Sequence, residues 1–343
     1  LERADILRSV FLEGAASGMT MAEGDDGAAK PALSASARKA DLARRAELLE
    51  KPVLLETIGL TKRYGGVTAV NGVDIQLHQD QVLGLIGPNG AGKTTIFDCI
   101  SGFTPIDGGR IILDGDDVTE WPAWRRAEAR LSRSFQDARL WPSLTVKEAL
   151  AAAMKQSMDT TNPLPALFGL PLYKDTERRV ERKVEHVIDM LGLGAFRDKF
   201  ISELSTGTRR MVEIGTLLAN DPKVIVLDEP SSGIAQKETE ALGPLLRAVQ
   251  RYTGCAILII EHDMPLISGL ADHIVALEQG TVVTVDVPEV VMNHPRVVEA
   301  YLGNTTYEEL QGGPADDDDE DTDSAARRAA TATKTRARTR KRP

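Results

Sequence analysis

Cysteine, histidine and aromatic residues are all scarce in this sequence. Two cysteines, Cys99 and Cys255, stand among 343 residues, too few for a disulfide framework or a Cys-rich zinc site. Both sit in apolar surroundings within expected regular elements, so they read as packing residues in a reducing compartment. The five histidines are scattered, and none pairs with cysteine or carboxylate at metal-ligand spacing. No apolar run approaches the roughly 20 residues that span a bilayer. No short apolar segment follows a basic start, so no secretory signal is expected. The formal net charge is −10, which argues against a nucleic-acid groove covering the folded part. It leaves room for local contact with a membrane-bound partner. There is no internal repeat and no second copy of the loop described next.

What is present is organised around Gly87-Pro88-Asn89-Gly90-Ala91-Gly92-Lys93-Thr94, a complete G-x-x-x-x-G-K-[ST] phosphate loop. Gln81 to Ile86 before it reads as a buried strand. Thr95 to Ile100 after it reads as a helix, with Ile96, Cys99 and Ile100 on one face. Glycines let successive backbone N–H groups turn inward toward phosphate oxygens, and the helix N-terminus adds its positive dipole end. Lys93 is expected to reach the β- and γ-phosphates, and the Thr94 hydroxyl to ligand Mg²⁺.

The first 51 residues, rich in Ala, Arg and Glu, read as a flexible leader with a helix around Lys39 to Glu50. The chain opens on Leu1. A longer chain upstream and a start at Met19 or Met21 are both compatible with this. From Val53, two short alternating strands, Val53–Ile58 and Val73–Leu77, predict an antiparallel sheet layered on the nucleotide core. Tyr64 lies between them. Its ring is either a stacking face for adenine, worth about 1–3 kcal/mol by analogy with base stacking, or a tyrosine packed at a strand end. Trp121 to Arg130 reads as a short helix and Ser132 to Gln136 as a strand ending in an amide. Residues 140 to 220 read as mostly helical, with the clearest helix at Glu177 to Leu191 and a proline-bearing loop at Asn162 to Tyr173. Exposed His186, beside the helix's apolar stripe, reads as structural. Strands follow at Lys223 to Asp228 and Ala256 to Ile260, with a helix at Glu238 to Arg251 between them. Ile274–Leu277 and Thr281–Val285 read as a hairpin. From Pro314 the chain turns low-complexity, acidic from Asp316 to Asp323 and basic from Arg327 to Arg342. A solvated tail is the expected outcome.

In an open α/β sheet, ligands bind at the carboxyl ends of parallel strands. Three strands here end in chemistry: at Gly87, at Asp228-Glu229 and at Glu261-His262. Asp228 is placed to hold the Mg²⁺ that Thr94 also holds. Glu229 is placed to polarise a water aimed at the γ-phosphate, although alone it would read as a helix cap. His262, which alone would read as structural, is a candidate γ-phosphate sensor, and Gln136 a candidate contact to metal and water.

Taken in order, these residues resemble the nucleotide-binding subunits of ATP-binding cassette (ABC) transporters, over about Pro52 to Gly303. Tyr64 matches the family's aromatic A-loop, and Gly87 to Thr95 its phosphate loop. Gln136 matches the Q-loop and Leu204-Ser205-Thr206-Gly207-Thr208 the signature. Asp228-Glu229, the D-loop at Ser231 to Ala235 and the switch histidine His262 complete the set. The resemblance implies an α/β fold: a P-loop NTPase core with a mainly parallel sheet, an N-terminal antiparallel β subdomain and a helical subdomain inserted at about 140–220. A disordered acidic-then-basic tail would follow at 304–343. It implies ATP and Mg²⁺ as ligands, with Lys93, Gln136, Glu229 and His262 as catalytic residues. Two subunits, alike or different, would join head to tail so that Ser205 and Gly207 of one face the γ-phosphate held by the other. They would drive an integral-membrane permease at the cytoplasmic face of the cell membrane, with a substrate-binding protein engaged only indirectly and no nucleic acid. Phe135 to Leu140, Pro230 to Thr239, Ile260 to Met264 and Val298 to Gly303 are most similar to the branched-chain amino-acid importer branch.

Two departures stand out. Thr206 and Thr208 replace commoner signature residues, and Ala235 replaces the carboxylate that usually ends the D-loop. Both bear on the efficiency of catalysis more than on ATP binding. They keep open a regulatory cassette with little turnover beside the transport ATPase. A soluble ABC protein acting on ribosomes or DNA is the further alternative, although the usual second cassette or long coiled-coil insertion is missing.

Overall fold

Val53–Tyr64 (β1) and Val67–His78 (β2) form a long antiparallel hairpin in the computed structural model, which describes residues 43–135, 140–156 and 171–302. Both strands run further than expected, because irregular register between them lets the ribbon bend without ending. Val82–Ile86 (β3) leads into the phosphate loop. Gly108–Leu113 (β4) and Asp116–Asp117 (β5) return to β1 and complete a four-stranded sheet in the order β2-β1-β4-β5.

The second sheet has six strands. Leu131–Arg133 (β6), Val224–Asp228 (β7), Ala256–Ile260 (β8), His273–Glu278 (β9) and Thr281–Asp286 (β10) join β3 in the order β10-β9-β3-β8-β7-β6. All pairs are parallel except β9 with β10, the expected hairpin. Every residue of β3, β7 and β8 is buried. That is why these strands read as unbroken apolar runs rather than alternating ones. Each such Val, Leu or Ile contributes about 1.5–3 kcal/mol by burial.

Helices cover the six-stranded sheet and extend beyond it. Lys93–Ile100 (α1) follows the phosphate loop, and Ala123–Glu128 (α2) precedes β6. Arg126 of α2 is 2 % exposed, and its guanidinium donates to the carbonyls of Cys99, Ile100, Thr119 and Trp121. It thereby satisfies the orphan acceptors at the C-terminus of α1. Val146–Gln156 (α3), Pro171–Met190 (α4) and Thr206–Leu218 (α5) form the helical part. Gly215 of α5 lies against Leu150, Val187 and Leu191, so a methyl group there would meet side chains at 2.8–3.2 Å. Helix α4 starts earlier than the sequence pattern indicates and absorbs Pro171 to Tyr173 of the expected loop. Proline at a first helical position loses no hydrogen bond. Strand β6 is likewise shorter than expected and ends at Arg133.

Gln236–Thr253 (α6), Met264–Leu270 (α7), Pro288–Val291 (α8) and Pro295–Val297 (α9) complete the fold, with one π-helical turn at Val298–Leu302. Residues 43–48 of the expected leader are helical and attached: Leu48 is buried and Arg44 pairs with Asp272. Residues 1–42, Gln136, 157–170 and the tail from Gly303 lie outside the described residues. Cys99 and Cys255 are buried free thiols that burial pushes up to about 11, as packing residues should be.

Helix α6 starts without a side-chain cap, because its N-cap is Ala235 in extended geometry. Ala235→Asp is expected to supply the missing side-chain cap and add about 1 kcal/mol. A thermal midpoint raised by about 2–4 °C would register it. An unchanged midpoint would mean that solvent already satisfies that end of the helix.

Candidate functional site

The phosphate loop is a cradle that tolerates no side chain at two points. A Cβ on Gly87 would lie 2.4 Å from the Leu277 carbonyl oxygen, and one on Gly92 (φ +99°) 2.4 Å from that of Ala69. The loop is thus pressed between β2 and β9. Gly280 donates to the Ala91 carbonyl, and Asn71 to that of Gly280. Helix α1 has no side-chain cap and no acidic residue in its first turn. Its N–H groups therefore point at the loop without an anion of their own. Lys93 is 6 % exposed and donates to the carbonyls of Gly87 (2.7 Å) and Pro88 (3.1 Å), so its ammonium spans the loop mouth. Asn89, Gly90 and Thr94 are exposed around it, with Ala91 buried beneath and Thr95 half-buried.

The carboxylates reach the same mouth from β7. Asp228 ends that strand, buried, and its N–H donates to Ser134 Oγ (3.1 Å). Glu229 follows with φ +46°, a left-handed conformation that a non-glycine residue adopts only under constraint. The constraint is visible. Its N–H donates to the Ile260 carbonyl (3.0 Å), and its own carbonyl accepts from Ser232 (3.0 Å). The turn aims the side chain at His262, whose Nε2 meets Glu229 Oε1. Burial lowers the Lys93 ammonium from its ordinary value, while the charges of Glu229 and Asp228 pull it back up. Burial likewise pushes the Asp228 carboxyl up, opposed by the Arg133 guanidinium. Lys93, Asp228, Glu229 and His262 thus share one site, although three separate strands deliver them.

Glu261 has no role in the sequence reading, yet it joins two of those strands. It is 1 % exposed and accepts from Ser231 N–H (2.8 Å), Ser231 Oγ (2.7 Å) and His262 N–H (3.1 Å). Its carboxylate locks the loop after β7 to the loop after β8. No residue pattern marks this, because a carboxylate beside a histidine is as often exposed.

Tyr64 ends β1 and is 50 % exposed, with Lys62 Nζ 5.3 Å from its ring centroid. It pairs with Val67, two residues before the Ala69 carbonyl that abuts Gly92. The hairpin that carries Tyr64 therefore touches the phosphate loop through Ala69. Ser205 is the N-cap of α5 and accepts from Thr208 N–H (3.2 Å), with the two hydroxyls 2.9 Å apart. Thr208 thus supports the serine. Gly207 lies against the Glu238 carboxylate of α6, which a Cβ would meet at 2.3 Å. The signature therefore faces the start of α6, and the N–H of Leu204, its first residue, donates to the Ile201 carbonyl (3.3 Å). Gln136 lies outside the described residues, but its neighbour Phe135 is clamped by α5. Phe135 N–H donates to Glu213 (3.3 Å), and the Phe135 carbonyl accepts from Arg210 (3.0 Å). Arg210 and Glu213 themselves form a buried pair at 2.5 Å.

The donors at the loop mouth fit a magnesium triphosphate. Thr94 and Asp228 offer hard oxygen ligands, and the cradle at Gly87 and Gly92 presents backbone N–H groups and the Lys93 ammonium. No cluster of His, Cys, Asp and Glu among the described residues holds a metal by itself. Mg²⁺ suits such a place, since it is bound through one or two carboxylates or hydroxyls together with substrate phosphates and water.

Comparison with known proteins leads to the same place. The model of the ABC transporter family matches residues 70–232. The chain is 38% identical over 250 residues to the high-affinity branched-chain amino acid transport ATP-binding protein BraF of Pseudomonas aeruginosa, spanning 73% of this chain and 98% of that protein. It is 36% identical, with the same coverage, to the corresponding LivG protein of Escherichia coli K12. Among solved structures, the ADP conformation of MJ1267, an ATP-binding cassette of an ABC transporter, superposes with a TM-score of 0.62 at 28% identity. The match covers 74% of this chain and all of that one.

Proposed function

The chain belongs to the ABC transporter family as an ATP-binding subunit and ATPase, and from that premise we propose that it powers import of branched-chain amino acids or a related small solute. The observation that carries the proposal is the convergence of Lys93, Asp228, Glu229 and His262 on one phosphate cradle. In this reading Lys93 and the N–H groups at the start of α1 bind the β- and γ-phosphates of ATP. Tyr64 stacks on the adenine. Thr94 and Asp228, with Gln136, hold Mg²⁺, which when bound neutralises charge developing on the phosphates. Glu229 accepts a proton from the attacking water, and His262 fixes the orientation of its carboxylate.

Ser205 and Gly207 complete the site of a second ATP-binding subunit, which meets α5 at exposed Ser205 and Thr206. No helix among the described residues is long and apolar enough to cross a membrane; in this reading integral-membrane permease subunits carry the solute. The reading places the protein against them at the cytoplasmic face. Exposed Trp141 and Phe200 mark the docking surface. Hydrogen bonds from Ser202 to Pro142 and from Ile201 to Leu144 hold their two segments together.

The test is reconstitution with the permease pair and binding protein in vesicles. ATP-dependent uptake of labelled leucine is expected, and Trp141→Ala/Phe200→Ala is expected to release the permease while leaving the basal ATPase rate unchanged. ATPase stimulation by the permease without uptake of leucine, isoleucine or valine would overturn the solute class. Absence of any permease association would overturn the importer.

A further inference from the structure

Arg133 does more in this fold than end β6. Its side chain is 8 % exposed, as is that of Asp228, and its Nη2 donates to Asp228 Oδ2 at a long 3.5 Å. Its Nη1 lies 2.7 Å from Asp98 Oδ1 on α1. The rings of Phe103 and Phe135 flank the guanidinium at 5.5 and 5.6 Å, and they meet each other edge-on at 5.6 Å. Yet Nε and Nη1 are buried without a hydrogen-bond partner, the approach to Asp98 being close but misaligned. A guanidinium kept for its donors would use them. One long hydrogen bond to Asp228 aside, what this site uses is the charge.

The charge matters because Asp228 is a buried anion with Glu229 and Asp98 nearby. An anion in that position is strongly destabilising unless a cation compensates it. The guanidinium gives Asp228 one long hydrogen bond, while its closer approach to Asp98 on α1 is a charge contact alone.

We propose that Arg133 is the resident countercharge of Asp228, compensating its carboxylate until a divalent cation takes over that task. This rests on the reading of Asp228 as a Mg²⁺ ligand. Arg133 and Mg²⁺ are then competing partners of one carboxylate, and linkage makes the competition reciprocal. The guanidinium weakens Mg²⁺ binding by the same factor by which Mg²⁺ weakens the Arg133–Asp228 interaction.

The experiment measures thermal unfolding of the full chain, first in EDTA and then with ADP at increasing Mg²⁺. Arg133→Met keeps bulk between the rings and removes the charge; Arg133→Lys keeps the charge and loses the flat stack. In EDTA, Met is expected to unfold at lower temperature and Lys close to wild type. Adding Asp228→Asn to Arg133→Met is expected to restore most of the loss. With ADP, the Mg²⁺ concentration giving half the stabilisation is expected to fall roughly five- to tenfold in the Met variant and to stay unchanged in Lys. Should Met be too unstable to purify, the Lys variant and the Met/Asn double variant carry the comparison. A stable Met with an unstable Lys would show that Arg133 serves ring packing and overturn the proposal. Independent addition of the Arg133 and Asp228 effects would overturn it too. A wild-type protein that Mg²⁺ and ADP do not stabilise would instead overturn the reading of the site itself.

Discussion

Glu229→Gln is expected to lower phosphate release by about 10²–10⁴-fold, the range a positioned general base contributes, while ATP still binds. The substitution preserves shape. The amide keeps an oxygen that accepts from His262, and the backbone bonds that hold the φ +46° turn, to Ile260 and from Ser232, do not involve the side chain. What is lost is the ability to take a proton. Binding survives because the cradle, Lys93 and Asp228 are untouched. Phosphate release measured beside binding of a fluorescent ATP analogue, with permease present, separates the two effects. An unchanged release rate would remove Glu229 from its role and favour a proton path through the substrate's own phosphates. A loss of binding equal to the loss of rate would mean that the carboxylate shapes the site instead of reacting in it.

The second large effect is expected far from the loop. Asp272, between α7 and β9, is fully buried. Arg247 of α6 grips its two oxygens at 3.0 Å each, Val82 at the start of β3 donates to it (2.8 Å), and Arg44 donates at 2.5 Å. One carboxylate thus ties α6, the central strand and the helical turn at 43–48 together. Asp272→Asn leaves the largely buried Arg247 without its countercharge. Breaking such a pair from one side costs about 3–5 kcal/mol, a fall in thermal midpoint on the order of 10 °C for a domain of this size.

The pH dependence has a definite sign. Burial alone would raise this carboxyl, but the Arg247 bond and charge, the Val82 N–H and Arg44 together hold it below the ordinary value. Its contribution is therefore fully present above the unfolded carboxylate value of about 4 and disappears as pH falls through the lower folded value. The stability gap between wild type and Asn should be constant from pH 7 to 5 and narrow only below about pH 4. A gap that closes near neutrality would point to a histidine instead.

The role of Glu229 and the choice of His262 came from the motifs taken together, but the sequence by itself determined the phosphate loop with Lys93, the buried strands before and after it, and Asp228 at the end of one. These were legible because each signal is local. A loop that curls around phosphate needs its glycines in adjacent positions, and a strand covered on both faces must be apolar throughout. Ser205 entered through the family resemblance alone, and its place as the N-cap of α5 came from the structure. Only the tertiary structure decided which charges face one another. Glu261 under the D-loop, Arg133 between two rings and Asp272 under three elements follow no spacing rule, since the compensating partner of each lies on another strand or helix. It also decided that Pro171 starts a helix and that Gly207 lies under Glu238. The reason is physical: backbone conformation depends on near neighbours along the chain, whereas desolvation and charge compensation depend on whatever the fold brings within a few ångströms.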